Sequence, residues 1–212
     1  ASAYGEAFRR IDPKAGATLS AAVVFAHVRL PLGSVLLEAH RLLDDVAKDI
    51  NGRDSLAVAV IKRGGLNSVW TSTWQRASAS GPPIAAAALL QGLVEVLSRD
   101  LATPGLSSAL LYRLRDTLSL LCDWPQWGPG VWGELPGGLD LRAFLLAEVI
   151  NSLEDQGLKD AASFGAALTD RILPLLHPGR AADRGGVNTS QVGVDALLLA
   201  RFLAAPTQED DA

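Results

Sequence analysis

The segment from Thr18 to Val28 is apolar and rich in β-branched residues. Its alternating positions are apolar on both sides, with Leu19, Ala21, Val23 and Phe25 facing one way and Ala22, Val24 and Ala26 the other. A strand with two apolar faces belongs inside a sheet covered on both sides, so the pattern predicts a central strand. The residues after Val28 narrow the choice. Pro31 suits the first helical position, where its missing N–H costs nothing. Val35, Leu36, Ala39, Leu42, Leu43, Val46, Ala47 and Ile50 then recur at spacings of three and four, one apolar stripe on a helix over 33–50. Asn51-Gly52 ends it, since Gly is favoured just past a helix end. Ser55 to Lys62 alternates Leu56, Val58 and Val60 as a second strand, Gly64-Gly65 permits a tight turn, and Leu66 to Trp74 forms a third.

Ala1 to Arg10 reads as the last turns of a helix, with Tyr4, Ala7 and Phe8 on one face. The order over residues 1–80 is therefore helix end, strand, helix, strand, strand. This is the pattern of an α+β fold, the second half of a ferredoxin-like or palm domain whose first half is expected outside the chain. The absence of any methionine, even at position 1, gives the same expectation of a fragment or a split subunit.

The composition changes near residue 80. Ala77-Ser78-Ala79-Ser80-Gly81-Pro82-Pro83 is small, polar and Pro-terminated, and reads as a linker. Over 81–212 the pattern predicts an all-α helical bundle, with helices near 83–102, 106–122, 140–155, 158–177 and 190–205. Asp140 is an N-cap for the third, and Pro174 is expected to kink or end the fourth. Residues 123–139 read as a long ordered loop, 178–189 as a mobile one, and the acidic tail after Pro206 as disordered. The stripe Leu110, Leu111, Leu114, Leu118 and Leu121 is too much apolar surface for a thin bundle and predicts a partner surface.

The net charge of −4 conceals an asymmetry: residues 1–80 carry 10 Lys/Arg against 7 Asp/Glu, and residues 81–212 carry 9 against 16. A basic first part facing an anion and a fluctuation of composition both fit this imbalance. Cys122 is the single cysteine, so no internal disulfide forms, which fits a reducing cytoplasm. No apolar run reaches the roughly 20 residues of a membrane helix.

Three short stretches carry a resemblance. Ala-Thr-Leu-Ser-Ala-Ala-Val-Val-Phe-Ala-His over 17–27 resembles the strand motif of the large subunits of type III CRISPR effector complexes. Pro31-Leu32 and a helix come next, as in that family, and then Lys48, Gly52-Arg53 and a strand ending in Lys62-Arg63. Leu197 to Leu203 is similar to the end of that family's closing helical domain. The same layout is similar to diguanylate cyclases, except that the spacing from Lys48 to Arg53 is one residue longer here. Ala22 stands where the family motif has Gly.

The resemblance implies a palm that makes cyclic oligoadenylates from ATP with Mg2+ or Mn2+ when target RNA binds. It also implies partners: other subunits of the complex, small helical subunits in particular, together with CRISPR RNA and target RNA. The family's Gly-Gly-Asp-Asp hairpin is not in this sequence, and Asp44-Asp45 is no substitute, because it lies within the helix with no Gly-Gly before it. The metal is thus expected on residues outside this chain, and the chain alone is expected to be inactive.

The nucleotide-binding candidates are Lys48 and Arg53 near the triphosphate, Lys62 and Arg63 for phosphate or guide RNA, and Ser20 lining the adenine pocket. Each has a plainer reading. Lys48 and Arg53 also fit a solvated helix end, Lys62-Arg63 a charged hairpin tip, and Ser20 a hydroxyl bonded to a nearby carbonyl. His27, His40 and His177 lack partners at metal-ligand spacing, which predicts no metal site. Nothing resembles a nucleophile elbow or a phosphate-binding loop ending in Lys-Ser/Thr. Trp124, Trp127 and Trp132 read as packing anchors rather than base-stacking platforms, having no Lys or Arg nearby. Two other readings stay open: a non-catalytic scaffold subunit of the same ribonucleoprotein, and a diguanylate-cyclase-like domain with a helical extension.

Overall fold

A computed structural model describes residues 2–12, 17–76, 82–97, 107–126, 128–180 and 186–205. The fold is α+β, and the residues group into two compact units. The first runs from Ala1 to Ala87 and includes His177–Thr189; the second holds Ala88–Leu176 and Ser190–Ala212. The linker read at 77–83 lies largely outside the described residues, as do Trp127 and the acidic tail.

In the first unit, α1 (Ser2–Ile11) precedes β1 (Ala21–Ala26). The chain then crosses through α2 (Leu32–Arg41) and a π-helical segment (Leu42–Ile50) to β2 (Ser55–Lys62), and turns into β3 (Gly65–Thr73). The sheet order is β1-β2-β3. β1 runs parallel to β2, from Ala21 beside Leu56 to Ala26 beside Ile61. β2 and β3 are antiparallel, with Lys62 opposite Gly65 and a bulge at Val60/Ile61. Gly65 sits at φ 114°, a backbone open only to glycine without strain.

The core is built on one face of this sheet. Leu42, Val46 and Ala47 of the π-helical segment pack on Ala57, Ala59 and Val69, with Ala22 and Val24 at the margin. The apolar stripe read from the sequence is therefore fully buried only in its middle, at Leu42, Val46 and Ala47, while Leu36 and Ile50 are exposed.

Three expectations are corrected here. β1 is not central: among the described residues it pairs with β2 alone, and Val23 and Phe25 are 41% and 36% exposed. An apolar run fits an interior strand and an edge strand equally well, and only the pairing decides. The predicted single helix over 33–50 changes its winding at Leu42, and Pro31 lies just outside it as the N-cap. Pro178 and Gly179 are buried and not part of a mobile loop. Gly179 bridges Ser72, and its carbonyl accepts a hydrogen bond from Thr73 N at 2.7 Å.

The second unit is mainly helical: most of α3 (Ala86–Leu97), α4 (Ser108–Leu121), α5 (Leu141–Asp155), α6 (Ala161–Leu176) and α7 (Asp195–Leu203). α5 packs on α6, α6 on α7, and α4 on both α5 and α7. Asp140 caps α5 as the sequence predicts, its Oδ1 accepting from Ala143 N at 3.0 Å. Pro174 lies inside α6, which continues to Leu176.

The chain after residue 80 is not purely helical. β4 (Gln75–Arg76) pairs with β5 (Ile84–Ala85), and β6 (Gly133–Glu134) with β7 (Gln191–Val192). Two tryptophans fix the second pair: a Cβ on Gly133 would fall 2.6 Å from the Trp124 ring, and one on Gly193 2.7 Å from Trp132. The leucine stripe of α4 is also corrected. Leu110, Leu111, Leu114 and Leu118 are fully buried, and only Leu121 is exposed. Two neighbouring helices cover what a thin bundle was expected to leave bare, so this stripe gives no support to a partner surface.

Candidate functional site

The end of the sheet where β1 and β2 begin collects the most unusual backbone in the first unit. The π-helical segment closes with Asn51 N donating to Val46 O at 2.9 Å, one residue further back than an α-helix would reach. Gly52, Arg53 and Asp54 then adopt φ 88°, 69° and 45°. Left-handed backbone costs roughly 1–2 kcal/mol for each residue with a Cβ, so Arg53 and Asp54 need anchors. Ala47 O supplies two, accepting from Arg53 N at 3.1 Å and from Ser55 Oγ at 2.6 Å. Trp74 N, donating to Asp54 O at 3.1 Å, supplies a third.

Ser20 lies at this same end. It immediately precedes β1, and the register that sets Ala21 beside Leu56 brings it level with Ser55. It is half-buried, and the carbonyl of Leu19 before it accepts from Trp74 Nε1 at 2.6 Å. Arg53 is exposed and makes no ion pair among the described residues. Its planar fork of donors suits an oxyanion such as a phosphate.

Lys48, one turn earlier, is engaged: its Nζ lies 2.7 Å from Asp44 Oδ1. The hydrogen bond from Lys48 and its positive charge hold the Asp44 carboxyl below its ordinary range. Lys62 and Arg63 are exposed at the other end of β2, roughly 23 Å away at the usual rise per strand residue. The five candidates therefore divide: Ser20 and Arg53 lie at the same end of the sheet, Lys48 is one turn earlier in the helix and ion-paired, and Lys62-Arg63 stand at the other end of β2 on the hairpin.

Sequence reasoning missed three residues here. Asn51 is completely buried, and neither its amide nitrogen nor its amide oxygen finds a partner among the described residues, a cost of about 1–3 kcal/mol. Trp74 joins Leu19 to Asp54, partners far away in sequence. Arg76 is buried with one nitrogen donating to His177 O at 3.0 Å and the other unsatisfied, and burial pulls its pKa down to about 10. No local pattern marks any of the three.

Among the described residues no three His, Cys, Asp or Glu side chains gather to hold a metal ion. Asp44 is bonded to Lys48 and exposed, which suits an ion pair and not a magnesium ligand. These residues do not fit a metal. Among the described residues no helix is long and apolar enough to cross a membrane.

A strand–helix–strand crossover extended by a hairpin, with a basic left-handed turn at the head of the second strand, places the first unit among α+β palm-type domains. Comparison with known proteins makes this more specific. Residues 1–57 match the second palm domain of Cas10/Cmr2. A stretch of 72 residues is 32% identical to the CRISPR system Cmr subunit Cmr2 of Pyrococcus furiosus, covering 34% of this chain and 8% of that relative. The N-terminal segment is thus similar to the second palm domain of Cas10/Cmr2.

Proposed function

We propose that this chain forms part of a type III large subunit whose palm makes cyclic oligoadenylates from ATP when target RNA binds. The observation that carries the reading is the turn Gly52–Asp54, inside the segment that matches the second palm domain, which holds Arg53 in a strained conformation at the same end of the sheet as Ser20. Strain of this kind persists where surrounding contacts enforce it, and it clusters at ligand sites.

In this reading Arg53 meets the triphosphate oxygens, where a cation offsets charge that grows during phosphoryl transfer. Ser20 borders the adenine. Lys48 adds positive charge once Asp44 releases it. Lys62 and Arg63 contact phosphates of CRISPR RNA or target RNA on the hairpin tip and do not reach the same nucleotide. Mg2+ or Mn2+ would be held by residues outside this chain, and when bound would supply charge neutralisation at the phosphates. The helical unit packs against small helical subunits of the complex.

The test is the assembled complex with labelled ATP, magnesium and cognate target RNA. Cyclic products are expected. Arg53→Ala should lower their formation about tenfold or more, the loss typical of a hydrogen bond to a charged group. Lys48→Ala should lower it less, about threefold, because its ammonium is shared with Asp44. Unchanged output from both variants removes these residues from the site.

A second reading is a non-catalytic scaffold subunit of the same ribonucleoprotein. A complex that assembles on target RNA but yields no cyclic product with the wild-type chain would select it.

A further inference from the structure

We infer that Trp74 is a positioning residue for this nucleotide site, holding Ser20 and Arg53 at a fixed separation. The inference rests on the proposed nucleotide site and adds a residue that the proposal does not need.

Trp74 stands between β3 and β4 and ties three segments of the first unit. Its indole Nε1 donates to Leu19 O at 2.6 Å, its backbone N donates to Asp54 O at 3.1 Å, and its own carbonyl accepts from Ala86 N at 2.9 Å. The first two bonds matter most. The β1–β2 ladder begins at Ala21, so the peptide joining Leu19 to Ser20 lies beyond it. The indole N–H grips that peptide from outside the sheet. Asp54 O closes the left-handed turn that presents Arg53. A single residue therefore references both ligand-bearing segments to the end of β3. The role calls for tryptophan in particular, because among the aromatic side chains only indole offers an N–H that is a donor and nothing else, on a rigid body long enough to span two strands. Sequence separation explains why the link is hidden: Leu19 and Trp74 are 55 residues apart.

The substitution that isolates the role is Trp74→Phe, which removes the indole donor and leaves the backbone bond to Asp54 in place. In the intact complex with target RNA and magnesium, we expect the KM for ATP to rise three- to tenfold, the usual worth of one hydrogen bond, with little change in turnover at saturating ATP. A residue that only stabilised the fold would lower the yield of active complex and leave the KM of the remainder alone.

A double-mutant cycle with Ser20→Ala sharpens this. If Trp74 acts through Ser20, Trp74→Phe should have little further effect once Ser20 is alanine. Additive losses overturn the role, and so does an unchanged KM in Trp74→Phe while the wild type makes cyclic product. A wild-type complex that neither binds ATP nor makes product fails differently: it removes the nucleotide reading itself and the positioning role with it. Should Trp74→Phe assemble poorly, Trp74→benzothienylalanine, which puts sulfur in place of the N–H at the same ring size, repeats the measurement.

Discussion

The two units use similar apolar sequence to opposite ends. In the second, helices cover helices: Leu110, Leu111, Leu114 and Leu118 of α4, Leu145 and Leu153 of α5, and Ile172 and Leu175 of α6 are all fully buried. In the first, Val23 and Phe25 of β1 and Leu32, Leu36 and Leu37 of α2 remain exposed. Polar groups divide the same way. Among the described residues, buried side chains with an unsatisfied atom are Asn51, Ser68, Trp70, Ser72 and Arg76 in the first unit and Thr169 alone in the second. Buried polar atoms without partners are costly, so native folds keep few of them. Hydrophobicity says which residues want cover, whereas the neighbouring element decides whether they get it.

The sharpest way to break this contrast is a matched pair of truncations. Leu114→Ala should cost about 2–5 kcal/mol, as expected for a fully buried leucine. Phe25→Ala, on the bare side of β1, should cost less than about 1 kcal/mol. Urea midpoints followed for each unit separately decide it, and a Phe25→Ala loss equal to that of Leu114→Ala would mean that the exposed face is covered.

A smaller effect is expected at Gly179, where a Cβ would stand 2.5 Å from Ser72 Oγ and 2.7 Å from an Arg76 guanidinium nitrogen. Gly179→Ala should destabilise the first unit by about 1–3 kcal/mol through this overpacking. It should also speed amide exchange at Thr73, whose N–H is bonded to Gly179 O. The second unit should hold its midpoint.

The smallest effect concerns Asp44. Its folded pKa lies below the ordinary 3.8, so whatever the Lys48 bond contributes is present at neutral pH and is lost as pH falls through the lowered folded value. Asp44→Asn releases Lys48 at neutral pH. In the proposed site this should tighten ATP about two- to threefold, within the modest worth of an exposed ion pair, and calorimetric titration of the complex reads it directly. No change would leave Lys48 without a part in binding.

Much of this was legible in the residues, for identifiable reasons. The strand–helix–strand order shows because period-2 and period-3.6 patterns differ over windows as long as 18–28 and 33–50. The Gly52-Arg53 turn shows because glycine and the helix end coincide there, and Asp140 shows because capping is a local effect. What stayed hidden depends on distant contacts. Among the described residues β1 pairs with β2 alone, a matter of pairing that its own apolar run cannot state. Trp74 meets Leu19 and Arg76 meets His177 across sequence separations of 55 and 101 residues. The place of Ser20 at the Arg53 end of β2 comes from the parallel register of β1, and spacing alone does not give it.

The wide winding of Leu42–Ile50 has a consequence for how this region tolerates length change. A π-type ring holds one more residue than an α-type ring between the same two hydrogen-bonded groups, so an inserted amino acid is accommodated as a local swelling while both flanks keep their places. Deleting a single residue there should let the coil tighten to ordinary helix, with Leu42 and Ser55 staying put and only the side chains between them rotating to new bearings.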